Sequence, residues 1–219
     1  MHDAGRQSGV PNPYCHRPSS VLSGREIATM ISEFEQKVAA IAKDQFDQFN
    51  QLSESDPPLA AQIERYWKEL GLPFPGVGTA WSAVFVSWCI RNAGATKKDF
   101  KFSPRHAVFV QWAIVNAETN QGRFRGLPIT ECVPTIGDII QNNREGNSFG
   151  FEHAAAHDDY PSHTAIVVEE GKDPKGRFVI TIGGNESDTV GRKRVALSAD
   201  GLIVQRPNNP YICVVQSQM

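Results

Sequence analysis

The run WSAVFVSWCIRNAG, residues 81–94, constrains this chain more than any other stretch. From Trp81 to Ala93 it is apolar nearly all round, which describes a helix sunk in a core rather than one lying on a surface. Gly94 supplies a stop. The residues before it, LPFPGVGTA (72–80), hold two prolines and two glycines and cannot be helical. A buried helix therefore opens abruptly at the end of a Pro- and Gly-rich loop, with Ser82 in its first turn.

The chain around this helix reads as a single α+β domain. Residues 1–22 are polar, rich in Pro and Gly and without periodicity, which predicts a loosely ordered arm. Ser23 and Glu26 stand at capping-box spacing, and Ile27, Met30, Ile31, Phe34, Val38, Ile41 and Ala42 follow at helical spacing, predicting a long helix that ends near Gln51. Asp56-Pro57-Pro58 separates it from a helix over Leu59 to Leu70, and another is expected over 104–117. Beyond residue 127 the period shortens to that of strands, near 137–141, 163–169, 178–183, 194–197, 202–205 and 212–215. GKDPKG between the second and third predicts a hairpin. Helices over 23–120 followed by an antiparallel sheet over 127–219 is the pattern of one domain in which the sheet packs against the buried helix.

Composition narrows the function by exclusion. A formal net charge of −2 and a sequence pI near 6.3 give no global reason to bind nucleic acid. No segment has the ~18 consecutive apolar residues of a membrane span. The first twenty residues lack an apolar stretch of the secretory kind, so synthesis is expected to end in the cytoplasm, with export by another route. Cys15, Cys89, Cys132 and Cys213 are widely spaced and form no CxxC pair, so neither a structural zinc nor any cofactor is expected; the last three read as buried free thiols. Glu152, His153, His157, Asp158 and Asp159 invite a metal reading through histidines at i and i+4, but loop polarity explains the same letters and no metal is assigned.

Three residues carry the chemistry. A nucleophile at the first turn of a helix gains from the unpaired N–H groups there, and Ser82 stands in that place; read alone it is an N-cap. His163 opens the apolar strand SHTAIVVEE at the rim of the sheet, where it can titrate. Asn185, in ITIGGNESD, ends the neighbouring strand and is placed to orient the His163 ring, or else is only a turn residue. Gly78, Trp81, His106 and Asp159 are expected to line the cleft. Cys89, two helical turns below Ser82, lies roughly 10 Å from the helix start, too far for a histidine that addresses the first turn.

WSAVFVSWCIRNAG resembles the nucleophile helix of the CHAP and NlpC-type cell-wall amidases and peptidases, with the papain-like fold, where Cys-Ala-x-Phe-Val-x-Trp follows a Trp or Tyr. SHTAIVVE resembles their His strand, ITIGGN the strand that supplies the third polar group, and GDII (137–140) the Gly-Asp pair ahead of the His strand. The four motifs stand in the family's order over residues 81 to about 188. Ser82 occupies the place of the Cys, as in a bacterial branch where Ser is usual. The resemblance implies hydrolysis of an amide bond in peptidoglycan peptide, with Ser82 as nucleophile, His163 as base and Asn185 as orienting group. With no export signal, it also implies delivery by a contractile secretion system or by phage lysis, an immunity protein being the partner in the first case. The rival expectations are a non-catalytic module that binds wall peptide or a protein partner, and an esterase, for which the Gly-x-Ser-x-Gly elbow is missing.

Overall fold

The computed structural model describes residues 31–219. The arm predicted over 1–22 and the Ser23/Glu26 capping box lie outside the described residues. α1, Glu33–Phe49, opens on a different capping box: Ser32 Oγ accepts from the Glu35 N–H at 3.1 Å and the Glu35 carboxylate accepts from the Ser32 N–H at 2.8 Å. The long helix expected from Ser23 is thus corrected to one capped at Ser32. α2 (Pro57–Glu69), α3 (Ser82–Asn92) and α4 (His106–Glu118) follow within two residues of the expected bounds.

Six strands form one antiparallel sheet in the order β1-β6-β2-β3-β4-β5. They are β1 (Phe124–Pro128), β2 (Ile139–Asn143), β3 (Ser162–Asp173), β4 (Gly176–Gly183), β5 (Gly191–Ala196) and β6 (Tyr211–Ser217), with α5 (Phe151–Ala156) between β2 and β3. The hairpin expected at GKDPKG is present, closed more tightly than expected at Asp173↔Gly176. The strand expected over 202–205 is reduced to one bridge, Leu197↔Ile203.

The α+β expectation holds: helices cover one face of the sheet, and loops close the other. Val38, Ile63, Trp81, Val84, Phe85, Phe109, Ile166 and Ile182 join in the helix-side core. Leu127, Ile140, Val167, Val179, Leu197, Ile203 and Val214 form a second cluster on the opposite face. Every residue of α3 from Ser82 to Ile90 is buried, as its composition demands. Its aromatic residues bind it to its neighbours: Tyr66 packs against Trp81, Phe85 and Trp88, while the indoles of Trp81 and Trp88 donate to Glu54 and Glu69 at 2.8 and 2.6 Å. Trp81 is fully buried, so its expected role against substrate is corrected to a structural one.

The end of β4 presses on α3 without room for a side chain. A Cβ on Gly184 would stand 2.5 Å from the Trp81 ring and 2.6 Å from Phe85 Cβ. Gly184→Ala should therefore cost about 1–3 kcal/mol through overpacking, read as a lower urea midpoint with unchanged m-value; an unaltered midpoint would contradict this packing.

Candidate active site

Two helix starts converge at one end of the sheet. Ser82 is the first residue of α3 and His106 the first of α4. A side chain of the same motif holds them together: Ser87, one turn further along α3, donates to the Ser103 carbonyl at 3.1 Å and accepts from the Ser103 N–H at 3.2 Å. Ser103 Oγ in turn accepts from the Arg105 N–H, so the entry to α4 is pinned to α3 and His106 is set over Ser82. Ser82 Oγ and His106 Nε2 are 2.7 Å apart, and His106 Nδ1 is 2.7 Å from Thr164 Oγ1 on β3.

The same strand start delivers His163. Its ring stands edge-on to that of His106, with centroids 5.3 Å apart. His163 Nε2 is 2.7 Å from Glu186 Oε1, and Lys193 donates to the other Glu186 oxygen. Gly183 makes the space for this contact, since a Cβ there would lie 3.0 Å from His163 Nε2 and 3.1 Å from Glu186 Oε1. Two histidine pairs, Ser82–His106 and His163–Glu186, thus lie side by side.

Electrostatics distinguish them. Burial, with the His163 and Arg144 charges adding to it, holds His106 well below the ordinary histidine range. Burial also lowers His163, although its hydrogen bond to Glu186 opposes the shift. Burial raises Glu186, yet the bonds from His163 and Lys193 outweigh it and bring the carboxyl down to about 2. At pH 7 the site therefore holds two neutral imidazoles and one carboxylate. With its proton on Nδ1, donated to Thr164 Oγ1, His106 accepts the Ser82 hydroxyl proton on Nε2.

Acid sensitivity follows. The folded state resists protonating His106, whereas the unfolded chain takes that proton at the ordinary value near 6.5. The unfolded state then binds more protons, and stability falls as pH drops below that value, by up to ~1.4 kcal/mol per pH unit for each such histidine. The urea midpoint should be lower at pH 5 than at pH 7.5, and the difference smaller in His106→Gln; a midpoint independent of pH would contradict the buried neutral ring.

The expected site is brought together only in part. Ser82 and His163 both lie at the site, but the Ser82 hydroxyl bonds His106, and His163 bonds Glu186. Asn185 is corrected from ring-orienting group to turn residue: it takes the left-handed conformation at φ 54°, and Glu186, one residue on, reaches the imidazole. His106, expected against substrate, is the direct partner of Ser82. Asp159 lines the cleft above Ser82, a space of about 140 Å³, where Arg105 pairs with it at 2.8 Å. Gly78 is exposed on the loop before α3 and lines neither this cleft nor the neighbouring pocket beside His163. His153 and His157 stack on each other at 4.1 Å, and among the described residues no three or more His, Cys, Asp or Glu gather to hold a metal. Cys89 is buried, which pushes its thiol pKa far up. Glu186, Thr164 and Arg144 were not singled out by sequence; the signal for Glu186 lay beside Asn185 in GGNESD.

A family model described as "Uncharacterized protein conserved in bacteria (DUF2272)" matches residues 60–215, well over half of the chain. The chain belongs to the DUF2272 family. No curated protein and no solved structure matches it. The DUF2272 match spans α3, the start of α4, β3 and the β4–β5 loop, and so takes in Ser82, His106, Thr164, His163 and Glu186 together. Among the described residues no helix is long and apolar enough to cross a membrane.

Proposed function

We propose that the chain is a serine-dependent hydrolase that cleaves an amide bond in peptidoglycan peptide, on a papain-like plan. The observation that carries this reading is the 2.7 Å contact between Ser82 Oγ and His106 Nε2 at the meeting of two helix starts. The wall-peptide substrate is supported by the ordered resemblance of the α3, β3 and β4 segments to the cell-wall amidases and peptidases.

In this mechanism Ser82 Oγ attacks the carbonyl carbon while its proton passes to His106 Nε2. The oxyanion forms near the first N–H groups of α3, those of Ser82 and Ala83, which have no partner within the helix, and the helix dipole favours the charge. His106 delivers the proton to the leaving nitrogen, the C–N bond breaks and an acyl-serine remains. Water then attacks the acyl carbon as the same ring takes its proton, the C–Oγ bond breaks, the ring returns that proton to Ser82 Oγ and the acid is released. Because burial keeps His106 neutral, the base is available across neutral and mildly acid pH. A secreted antibacterial effector, acting in the wall of a target bacterium and neutralised by an immunity protein in its producer, is the setting that suits such an activity.

A fluorophosphonate reagent tests the nucleophile. One covalent adduct on the Ser82 peptide is expected, absent in Ser82→Ala and strongly reduced in His106→Gln; an adduct on another residue would overturn the assignment. A second reading, a cleft that binds wall peptide without cutting it, is favoured by one observation: Ser82 is only 2% exposed. In that case Ser82→Ala keeps its activity in cells.

A further inference from the structure

Beside the Ser82–His106 cleft opens a larger pocket of about 510 Å³, walled by the ends of β2 and β3, the β4–β5 loop and the loop before β6. Its lining carries three cations, Arg144, Lys193 and Arg206, against one carboxylate, Glu186. That imbalance is local, since the whole chain has a formal charge of −2. Glu186 is already committed to His163 and Lys193. Arg206 is fixed without an acid: its Nε donates to the Asn209 carbonyl at 3.0 Å and its guanidinium lies 4.4 Å over the Tyr211 ring. Arg144 forms no ion pair among the described residues and lines both this pocket and the cleft that holds Ser82. Two guanidiniums thus face a shared space whose one carboxylate, Glu186, is already taken by His163 and Lys193.

A second observation points to a ligand. His163 lines the pocket, is only 4% exposed, and its Nδ1 is buried without a hydrogen-bond partner among the described residues. A buried polar atom of this kind calls for a partner. With the Nε2 proton donated to Glu186, Nδ1 is an acceptor and requires an N–H or O–H group. The occupant must then bring a negative charge for the guanidiniums and a donor for the imidazole. A peptide residue with a free carboxylate brings both, and a guanidinium fork matches a carboxylate in two parallel hydrogen bonds.

We propose that this pocket is the subsite for a carboxylate-bearing residue of the substrate peptide, whose carboxylate is held by Arg144 and Arg206 and whose amide N–H donates to His163 Nδ1. Arg144, standing on both cavities, sets the distance between that carboxylate and the bond presented to Ser82. The assignment rests on the hydrolase reading for the identity of the ligand as substrate, so its test is made on binding alone.

Full-length Ser82→Ala protein, titrated calorimetrically, is offered two probes: N-acetyl-L-Ala-D-Glu-L-Lys-D-Ala with its carboxylates free, and the same peptide fully amidated. The free acid is expected to bind at least about tenfold tighter. Adding Arg144→Gln or Arg206→Gln should erase the preference, as should raising the salt from 50 to about 500 mM. Equal affinity for the twins, or a preference that survives both substitutions, overturns the proposal. Matched melting temperatures exclude unfolding, and should Arg144→Gln fail to fold, Arg206→Gln and the salt titration still decide. Wild-type protein that digests the wall while the twins bind alike sinks the subsite and leaves the hydrolase; acid preference in a protein that cuts nothing sinks the hydrolase and leaves the subsite.

Discussion

Replacing Ser82 by alanine should lower cleavage of wall peptide by about 10³-fold or more, because it removes the atom that opens the reaction by attacking the substrate carbonyl carbon. The same change leaves His106 Nε2 buried without its 2.7 Å partner, which costs about 1–3 kcal/mol of stability. For a chain of this length that is a fall of several degrees in Tm. Loss of activity with retained fold, shown by circular dichroism and a turnover assay side by side, is the expected result. Activity within tenfold of wild type would remove Ser82 from the chemistry. Ser82→Cys is the companion measurement. A thiol is the stronger nucleophile, so a gain in rate is expected if the site works as the thiol enzymes that its motifs resemble do.

His106→Gln should be nearly as damaging, with a loss of about 10²–10⁴-fold, because the side chain that takes and returns the proton is gone. His163→Gln should cost only about tenfold, since His163 does not bond the Ser82 hydroxyl and its loss is felt through Glu186 and through the hold on the substrate's amide N–H. The two variants therefore separate the base named by the geometry from the base expected from sequence. Should His163→Gln be as inactive as Ser82→Ala while His106→Gln still turns over, the proton acceptor is His163, and the Ser82–His106 contact is a resting arrangement that substrate displaces.

The parts of the fold that could be read in advance are those with a strong local period. α3 was visible because nothing in SAVFVSWCI offers a polar face, and the β3–β4 hairpin because a turn-forming run joins two apolar strands. β1 was missed because FRGLP, with its Gly and Pro, does not read as a strand; it is one at the sheet's edge, where Pro128 is tolerated and Gly126 lets the strand approach Ile114 of α4. The start of α1 was misplaced because the capping-box spacing occurs twice, at Ser23/Glu26 and at Ser32/Glu35, and local spacing does not say which one caps.

The site was legible to a similar depth. Ser82 was found from its own helix. Its partner was not, because the pairing with His106 depends on how Ser87 pins Ser103, a contact between segments sixteen residues apart that no periodicity announces. Likewise the exchange of Asn185 for Glu186 turns on the left-handed backbone of Asn185, which aims the next residue at the ring. For this orienting group sequence comes within one position, whereas for the base it names a histidine on the neighbouring strand, and only the tertiary fold sets His106 rather than His163 against Ser82.

The measurement that bears most directly on the central claim is digestion of purified peptidoglycan by wild-type, Ser82→Ala, His106→Gln and His163→Gln proteins, with the soluble products identified by mass spectrometry. Wild type is expected to release muropeptides cut at a single type of amide bond, His163→Gln to release fewer, and Ser82→Ala and His106→Gln almost none. Release by Ser82→Ala at the wild-type rate, or intact peptidoglycan after prolonged incubation with folded wild-type protein, would contradict that claim.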